Sequence, residues 1–172
     1  MQQNEVPGET LARMEKLGKE LATPNQNHAF LKQLAGNWRT SSSYLGMEPT
    51  TGNATYGMIF ANRFLDGIHK GSIGGVPLEG RLTIGYDNYK HKFVASFLDD
   101  LGTSIRHAEG LLSRSKKVLT LWGTMDEWLN DQHDIPVMYR FSIIDDDHFV
   151  FELHQLTLAK DTLVISVHYT RQ

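Results

Sequence analysis

The residues best suited to chemistry are a histidine and a glutamate two positions apart. His107 and Glu109 fall on one face of a predicted strand, together with Ile105 and Leu111. If those two apolar residues face the protein interior, His107 and Glu109 face it as well. A carboxylate beside an imidazole orients the ring and raises its pKa, which makes the pair a candidate for proton transfer. The same spacing also fits a hydrogen-bonded pair without a catalytic role, or a Glu109 that points outward to a basic neighbour.

The other histidines raise the question of a metal or haem site. His154 and His168 lie in the last two predicted strands, where Arg140 and Glu152 are expected nearby. A metal ion needs three or four converging ligands, and the chain has no His-x-His motif, no His-Glu-x-x-His motif and no cysteine. We therefore predict no metal site and no resident cofactor. A haem or metal barrel stays as an alternative, and it requires His154 or His168 to face inward.

Aromatic side chains supply the third candidate site. They recur along alternating strands, and barrels of eight or more strands can enclose a small ligand among such rings. Besides His107, the residues predicted to contact a ligand are Trp38, Tyr56, Tyr86, Phe97 and Tyr139. The simpler alternative is that these rings only fill the interior.

Two patterns predict the elements that would position these residues. Apolar residues three or four apart predict an amphipathic helix from Thr10 to Ala22, whose stripe is expected to dock, and a shorter helix covers His28 to Ala35. From Trp38 onward the polarity alternates with period two, as in half-buried strands. The predicted strands are at about 38–45, 53–61, 64–73, 78–87, 92–98, 104–113, 117–125, 136–144, 148–158 and 163–170.

The connections decide the topology. Asp87-Asn88 and Gly74-Gly75 are typical hairpin turns, and Gly102 is expected to supply a left-handed residue in the next turn. Only one connection, Asp126 to Ile135, is predicted to be long. Short connections leave no room for crossover helices, and closure removes exposed sheet edges. We therefore expect an all-β protein with N-terminal helices, an antiparallel up-and-down barrel of about ten strands. Residues 28–172 would form the barrel domain, and residues 1–27 an N-terminal extension.

Composition excludes several function classes. The chain has 172 residues and a net charge of −3, and it has no Lys/Arg run longer than Lys116-Lys117, so we expect no nucleic-acid partner. It contains no apolar run of membrane-spanning length, and Met1 to Glu5 do not start a signal peptide. The expectation is a cytoplasmic protein with no membrane association.

Several short motifs, in order, carry a family resemblance. The segment from Leu34 to Trp38 is similar to the entry of lipocalin-like (calycin) barrels. The chain from His28 to Arg171 resembles the bacterial domain of unknown function 1579 family. The motifs that carry this resemblance are His28 to Trp38, Arg63-Phe64-Leu65, Leu78-Glu79-Gly80, Gly85-Tyr86-Asp87-Asn88, Lys92-Phe93-Val94, Asp99 to Thr103, Glu109-Gly110, Asp145 to Glu152 and Tyr169-Thr170-Arg171. The resemblance implies a lipocalin-like barrel with an internal cavity and brings no catalytic residues.

This chain departs from the family in two ways. Phe97 stands where the family often has tryptophan, and the helix Thr10–Ala22 is longer than a typical family N-terminus. His168 lies in the region where nitrobindin-like haem barrels, also calycin relatives, carry a haem ligand, but the surrounding residues do not match theirs.

These observations favour a barrel that binds a small, largely apolar molecule in its cavity. One alternative is an isomerase- or cyclase-type enzyme that uses the His107–Glu109 couple, and another is the haem or metal barrel. A third alternative is that the protein acts only by binding a partner, through the Trp128 loop or the N-terminal helix. The sequence leaves a homodimer open.

Overall fold

The structure is a computed structural model, and it describes residues 6–172. Within that range there are two helices and ten strands; residues 1–5 of the expected N-terminal extension lie outside it. In chain order the elements are α1 (Pro7–Leu21), α2 (Gln26–Leu34), β1 (Gly36–Tyr44), β2 (Thr50–Ile59), β3 (Phe64–Ile73), β4 (Val76–Asp87), β5 (Lys92–Asp99), β6 (Arg106–Leu112), β7 (Val118–Glu127), β8 (Gln132–Ile143), β9 (His148–Gln155) and β10 (Leu163–Arg171).

The ten strands form one closed antiparallel barrel. Each strand pairs with the next along the chain, and β1 pairs with β10 to close the sheet. The predicted up-and-down barrel is therefore confirmed, including its number of strands. Closure gives every strand two hydrogen-bonded neighbours, so that no edge is left unpaired.

The prediction of a long connection between Asp126 and Ile135 is wrong. β7 continues to Glu127 and β8 begins at Gln132, and these two residues pair with each other. Only a short turn at 128–131 remains. The segment looked like a loop because this hairpin extends past the packed interior, where polar residues are solvated on both faces of a strand.

Turn chemistry was predicted correctly at two hairpins, Gly74-Gly75 and Asp87-Asn88, and wrongly at Gly102. Gly74 and Gly75 have positive φ of 56° and 84° in the β3–β4 turn, as expected. In the β4–β5 turn the residue with positive φ is His91. The Asp87 carboxylate accepts hydrogen bonds from two backbone N–H groups of this turn. Gly102 is not among the described residues with positive φ. A side chain that bonds to the turn backbone can replace the conformational freedom of glycine.

One end of the barrel is closed by α2. Asn25 caps this helix through a reciprocal pair of hydrogen bonds with His28, and Phe30, Leu31 and Leu34 are buried against the barrel interior. We call this the closed end. The connections β1–β2, β3–β4, β5–β6, β7–β8 and β9–β10 lie at the opposite end, which we call the open end.

The first helix packs differently from the expectation. Among the described residues, none of those in α1 is buried, and Leu11 and Met14 are 68% and 65% exposed. The predicted docking of its apolar stripe is therefore not observed. The connection that follows α1 is nevertheless anchored, because the Asn88 amide donates to the Leu21 carbonyl (2.7 Å) and to the Thr23 carbonyl (2.9 Å). Neither described helix is long and apolar enough to cross a membrane.

Candidate functional site

The barrel interior is packed at the closed end and contains a cavity of about 280 Å³ toward the open end. Strand alternation supplies its walls, since every second residue points inward. The apolar part of the wall includes Leu82, Phe97, Phe141, Phe151, Leu153 and Val167. An apolar concave wall with a few polar groups is the usual composition of a small-molecule site.

Two tyrosines form a hydrogen bond on the cavity wall. The hydroxyl oxygens of Tyr56 on β2 and Tyr169 on β10 lie 3.2 Å apart. Burial raises the pKa of Tyr56 to about 12, and the hydrogen bond with Tyr169 offsets only part of that rise. Burial, and then the neighbouring Tyr56, raise the pKa of Tyr169 well above its usual value. Both side chains therefore stay neutral hydroxyls at physiological pH.

His69 is the histidine that lines this cavity. It points inward from β3, and its ring centroid is 6.3 Å from that of Tyr169. Burial lowers the pKa of His69, so that its imidazole is uncharged at neutral pH. Its Nδ1 atom is buried and has no hydrogen-bond partner among residues 6–172.

Sequence reasoning gave His69 no role. Along β3 the outward residues include Phe64 and Ile68, which are as apolar as the inward Leu65, so the period-two pattern could not assign a face. The informative signal was the charge at Asp66 and Lys70, which marks the other face as outward.

Tyr139 provides the second unsatisfied polar atom of the wall. Its ring stacks on that of Phe97 with centroids 4.3 Å apart and planes 16° apart. Burial raises the pKa of Tyr139, so that it also remains neutral. Its hydroxyl oxygen is buried and finds no partner in the described part of the chain. A buried polar atom without a partner costs free energy that a ligand group can recover.

The rim of the cavity lies at the open end. Arg106 and Asp99 form an ion pair there, and Leu101 and Trp128 stand beside it. Trp128 is 73% exposed although it is large and apolar. Exposed apolar residues at a cavity entrance suit the entry of an apolar molecule.

Five of the six predicted ligand-binding residues lie inside the barrel, at its two ends, and the sixth, His107, lies on the outer surface. Tyr56, Phe97 and Tyr139 line the cavity, and their contact with a ligand stays a prediction. Trp38 and Tyr86 do not line it, because both pack at the closed end. The Trp38 indole donates to the Leu34 carbonyl at 3.0 Å, and Tyr86 packs edge-on against Phe93 and His28. The sequence pattern could show that these rings face inward but not at which end of the barrel they lie.

His107 and Glu109 lie on the outer surface. The inward orientation that a catalytic couple would need is therefore not observed. Ile105 and Leu111, on the same face, are 59% and 55% exposed. Glu109 accepts a hydrogen bond from Lys90 at 2.8 Å and pairs with Lys92 at 3.5 Å. The hydrogen bond from Lys90 holds the Glu109 pKa below its usual value. Small residues, Ala108 and Gly110, take the inward positions of β6 instead.

The histidines of the haem or metal alternative also face outward. His154 Nδ1 lies 3.0 Å from the Thr162 hydroxyl, and its Nε2 lies 3.9 Å from the Glu152 carboxylate that pairs with Arg140. His168 is exposed on the outer face of β10. In residues 6–172 no three His, Asp or Glu side chains are arranged to hold a metal ion. The inward orientation required of His154 or His168 is therefore not observed.

A groove of about 680 Å³ runs along the outer wall beside the α1–α2 connection. Phe64, Val94 and His107 contribute to it. Its main polar groups already bond within the chain: the Arg63 guanidinium donates to the Ala22 and Phe60 carbonyls, and Asn88 anchors the connection. The groove is larger than the inner cavity, but these groups are not left for a ligand.

One family model and several solved structures are similar to this chain. A family model described as "Protein of unknown function (DUF1579)" matches residues 23–171. The crystal structure of Rv2717c from M. tuberculosis is similar with a TM-score of 0.62 and 13% identity, covering 87% of this chain and 99% of that chain. A de novo designed fluorescence-activating β-barrel has a TM-score of 0.47 and 12% identity, covering 83% of this chain and 96% of the designed one. No curated protein matches this chain significantly. At such low identity, the likeness to Rv2717c shows the fold alone.

Proposed function

Because this chain belongs to the family described as Protein of unknown function (DUF1579), the function must be inferred from the site, and we propose that the barrel binds a small, largely apolar molecule in its inner cavity. The site combines apolar rings with a few polar groups, the composition that ligand cavities usually have. Its volume of about 280 Å³ limits the buried part of the ligand to a small molecule. A longer molecule would extend past the rim toward Leu101 and Trp128.

The observation that carries this proposal is the pair of unsatisfied atoms on the wall, Tyr139 Oη and His69 Nδ1. A buried polar atom without a partner costs about 1–3 kcal/mol. Most buried polar atoms in proteins have a hydrogen-bond partner, so an unsatisfied atom on a cavity wall is a natural place for a ligand group. A ligand hydroxyl or carbonyl would offset this cost by supplying the missing hydrogen bond.

The proposal is tested with N-phenyl-1-naphthylamine, an uncharged apolar probe that fluoresces when it leaves water. We expect saturable binding to the wild-type protein. Val167 lines the inner cavity, so Val167→Phe fills it and should weaken probe binding at least about tenfold. Val94 lines only the outer groove, so Val94→Phe is the matched control and should bind the probe as the wild type does.

Circular dichroism and urea unfolding establish that both variants are folded. Loss of binding in Val94→Phe alone would move the site to the outer groove. Absence of saturable binding by the wild-type protein to this probe and to a panel of apolar alcohols and ketones would overturn the proposed function.

A further inference from the structure

The polar groups deep in the cavity are all uncharged. They are the hydroxyls of Ser42, Tyr56, Tyr139 and Tyr169 and the imidazole of His69. A tyrosine hydroxyl buried beside another hydroxyl does not ionise at neutral pH, and a buried imidazole without a carboxylate partner does not gain a proton. The interior therefore offers hydrogen bonds to a ligand but no charge.

The charged residues of the lining lie near the open end, and each is already engaged. Arg106 pairs with Asp99 at the rim. Arg81 makes two hydrogen bonds to Asp66, at 3.1 Å and 2.9 Å.

The fourth charged residue of the lining, Glu127, is used by the adjacent turn. Its carboxylate accepts hydrogen bonds from the backbone N–H groups of Leu129 (2.8 Å) and Asn130 (3.0 Å). Among the residues that line the cavity in the described chain, no cation is therefore left unpaired, and the one carboxylate without a cationic partner, Glu127, is held by the turn at the open end and lies outside the uncharged interior.

From this charge distribution we infer that the ligand is uncharged where it enters the barrel: an alcohol, ketone, ester or amide on an apolar frame, and not a carboxylate, phosphate or ammonium ion. This inference rests on the proposed function and narrows its ligand class. An ion that moves from water into an apolar cavity loses the free energy of its hydration, and only an opposite charge in the cavity can compensate for that loss. A neutral oxygen needs only a donor or an acceptor.

The placement of the unsatisfied atoms adds a preference within this class. Tyr139 stands on β8 and His69 on β3, and these strands are five positions apart around the ten-stranded ring, on opposite sides of the barrel. A molecule with a polar atom toward each side, such as a hydroxy ketone or a diol, would form hydrogen bonds with both of these atoms. A molecule with one oxygen would form a hydrogen bond with only one of them.

The test compares three chain-matched molecules, decanol, decanoate and decylammonium, as competitors of bound N-phenyl-1-naphthylamine at pH 7.5. We expect decanol to displace the probe at a concentration at least about tenfold below that of either ion. Equal or better displacement by decanoate or decylammonium would overturn this inference and leave the proposed function standing. Absence of probe binding would overturn the proposed function and this inference with it.

A charge-addition variant separates cavity electrostatics from the general preference of apolar molecules for apolar sites. Gln155 lines the cavity near the open end, and Gln155→Lys adds one cation there without enlarging the residue much. It should strengthen decanoate binding several-fold relative to decanol, while Gln155→Met controls for the loss of the amide. An unchanged decanoate-to-decanol ratio in Gln155→Lys would show that charge does not govern selection, and would overturn the inference.

Discussion

Tyr56 and Tyr169 meet hydroxyl to hydroxyl at 3.2 Å inside the barrel, although 113 residues separate them in the chain. Their strands, β2 and β10, flank β1, so the contact bridges the point where the barrel closes. Each of Tyr56→Phe and Tyr169→Phe should lower the free energy of unfolding by about 1–2 kcal/mol, because each leaves a buried hydroxyl without its partner.

The double variant should cost less than the sum of the single variants by about 1 kcal/mol, since both polar groups are then gone together. Urea unfolding of the four proteins measures this coupling. Tyr89→Phe, at an exposed tyrosine, is the control. Strict additivity of the two buried substitutions would contradict a direct bond between the hydroxyls.

A glycine in β3 makes room for one of these tyrosines. A Cβ atom at Gly67 would overlap the Thr55 carbonyl and the Tyr56 ring, whereas a Cβ at Gly57 would meet nothing within 4 Å. Gly67→Ala should therefore lower the free energy of unfolding by about 1–3 kcal/mol through overpacking. Gly57→Ala is the matched control and should be neutral or slightly stabilising. Equal effects of the two substitutions on the urea midpoint would refute the close packing inferred at Gly67.

Arg171 ties the last strand to α2 at the closed end. Its guanidinium lies 4.1 Å from the centre of the Trp38 ring and donates to the Ala35 carbonyl (3.0 Å) and the Gln33 carbonyl (3.2 Å). A lysine cannot reproduce this planar fork, so Arg171→Lys should cost about 2 kcal/mol in chemical unfolding. Arg39 is exposed, so the control Arg39→Lys should change the free energy of unfolding by less than about 0.5 kcal/mol. A lysine that is tolerated equally at both positions would mean that charge alone matters at Arg171.

Acidification should weaken the fold through buried histidines. Burial lowers the pKa of His69 and of His28 in the folded protein, although a backbone hydrogen bond to His28 partly opposes it. The unfolded chain therefore takes up more protons as the pH falls below about 6.5. Stability is complete above that pH and decreases through the folded-state pKa values, by at most about 1.4 kcal/mol per pH unit for each histidine.

The effect is measured as the difference in unfolding free energy between pH 7.5 and pH 5.0, a window that stays above most carboxylate titration. His69→Phe keeps a ring of similar size and removes the titrating group, so its acid-induced loss should be smaller. His133→Gln, at an exposed histidine, should lose as much stability as the wild type. An equal loss in His69→Phe would show that His69 does not carry the effect.

The N-terminal extension should be dispensable for the stability of the barrel. Removal of residues 1–20 leaves the Leu21 and Ala22 carbonyls that Asn88 and Arg63 hold. Because no residue in α1 is buried, this truncation should change the free energy of unfolding by less than about 1 kcal/mol. Leu31→Ala, in the buried face of α2, should cost about 2–5 kcal/mol. A truncation as costly as Leu31→Ala would place α1 within the cooperative unit.

Local patterns in the sequence predicted most of the architecture. Period-two alternation, turn residues at Asp87 and Gly74-Gly75, and the helix before Trp38 act over a few residues each, and together they predicted ten antiparallel strands and a closed barrel. These features depend on backbone geometry and on the sequence neighbours of each residue. They can therefore be read without knowing what lies across the barrel.

The orientation of individual strands was decided only by the tertiary structure. On β6 Leu111 faces solvent, as does Ile105 just before the strand, while the small residues Ala108 and Gly110 take the inward positions. A Cβ at Gly110 would overlap the Thr120 carbonyl of β7, so no larger residue fits there, and His107 and Glu109 lie on the opposite, outer face. Hydropathy alone therefore did not indicate the inward face of this strand. The same nonlocal packing brought His69, Tyr139, Tyr56 and Tyr169 to one cavity. The sequence alone determined the barrel, and packing across the barrel determined the site, because the volume that each side chain can occupy is set by residues distant in the chain.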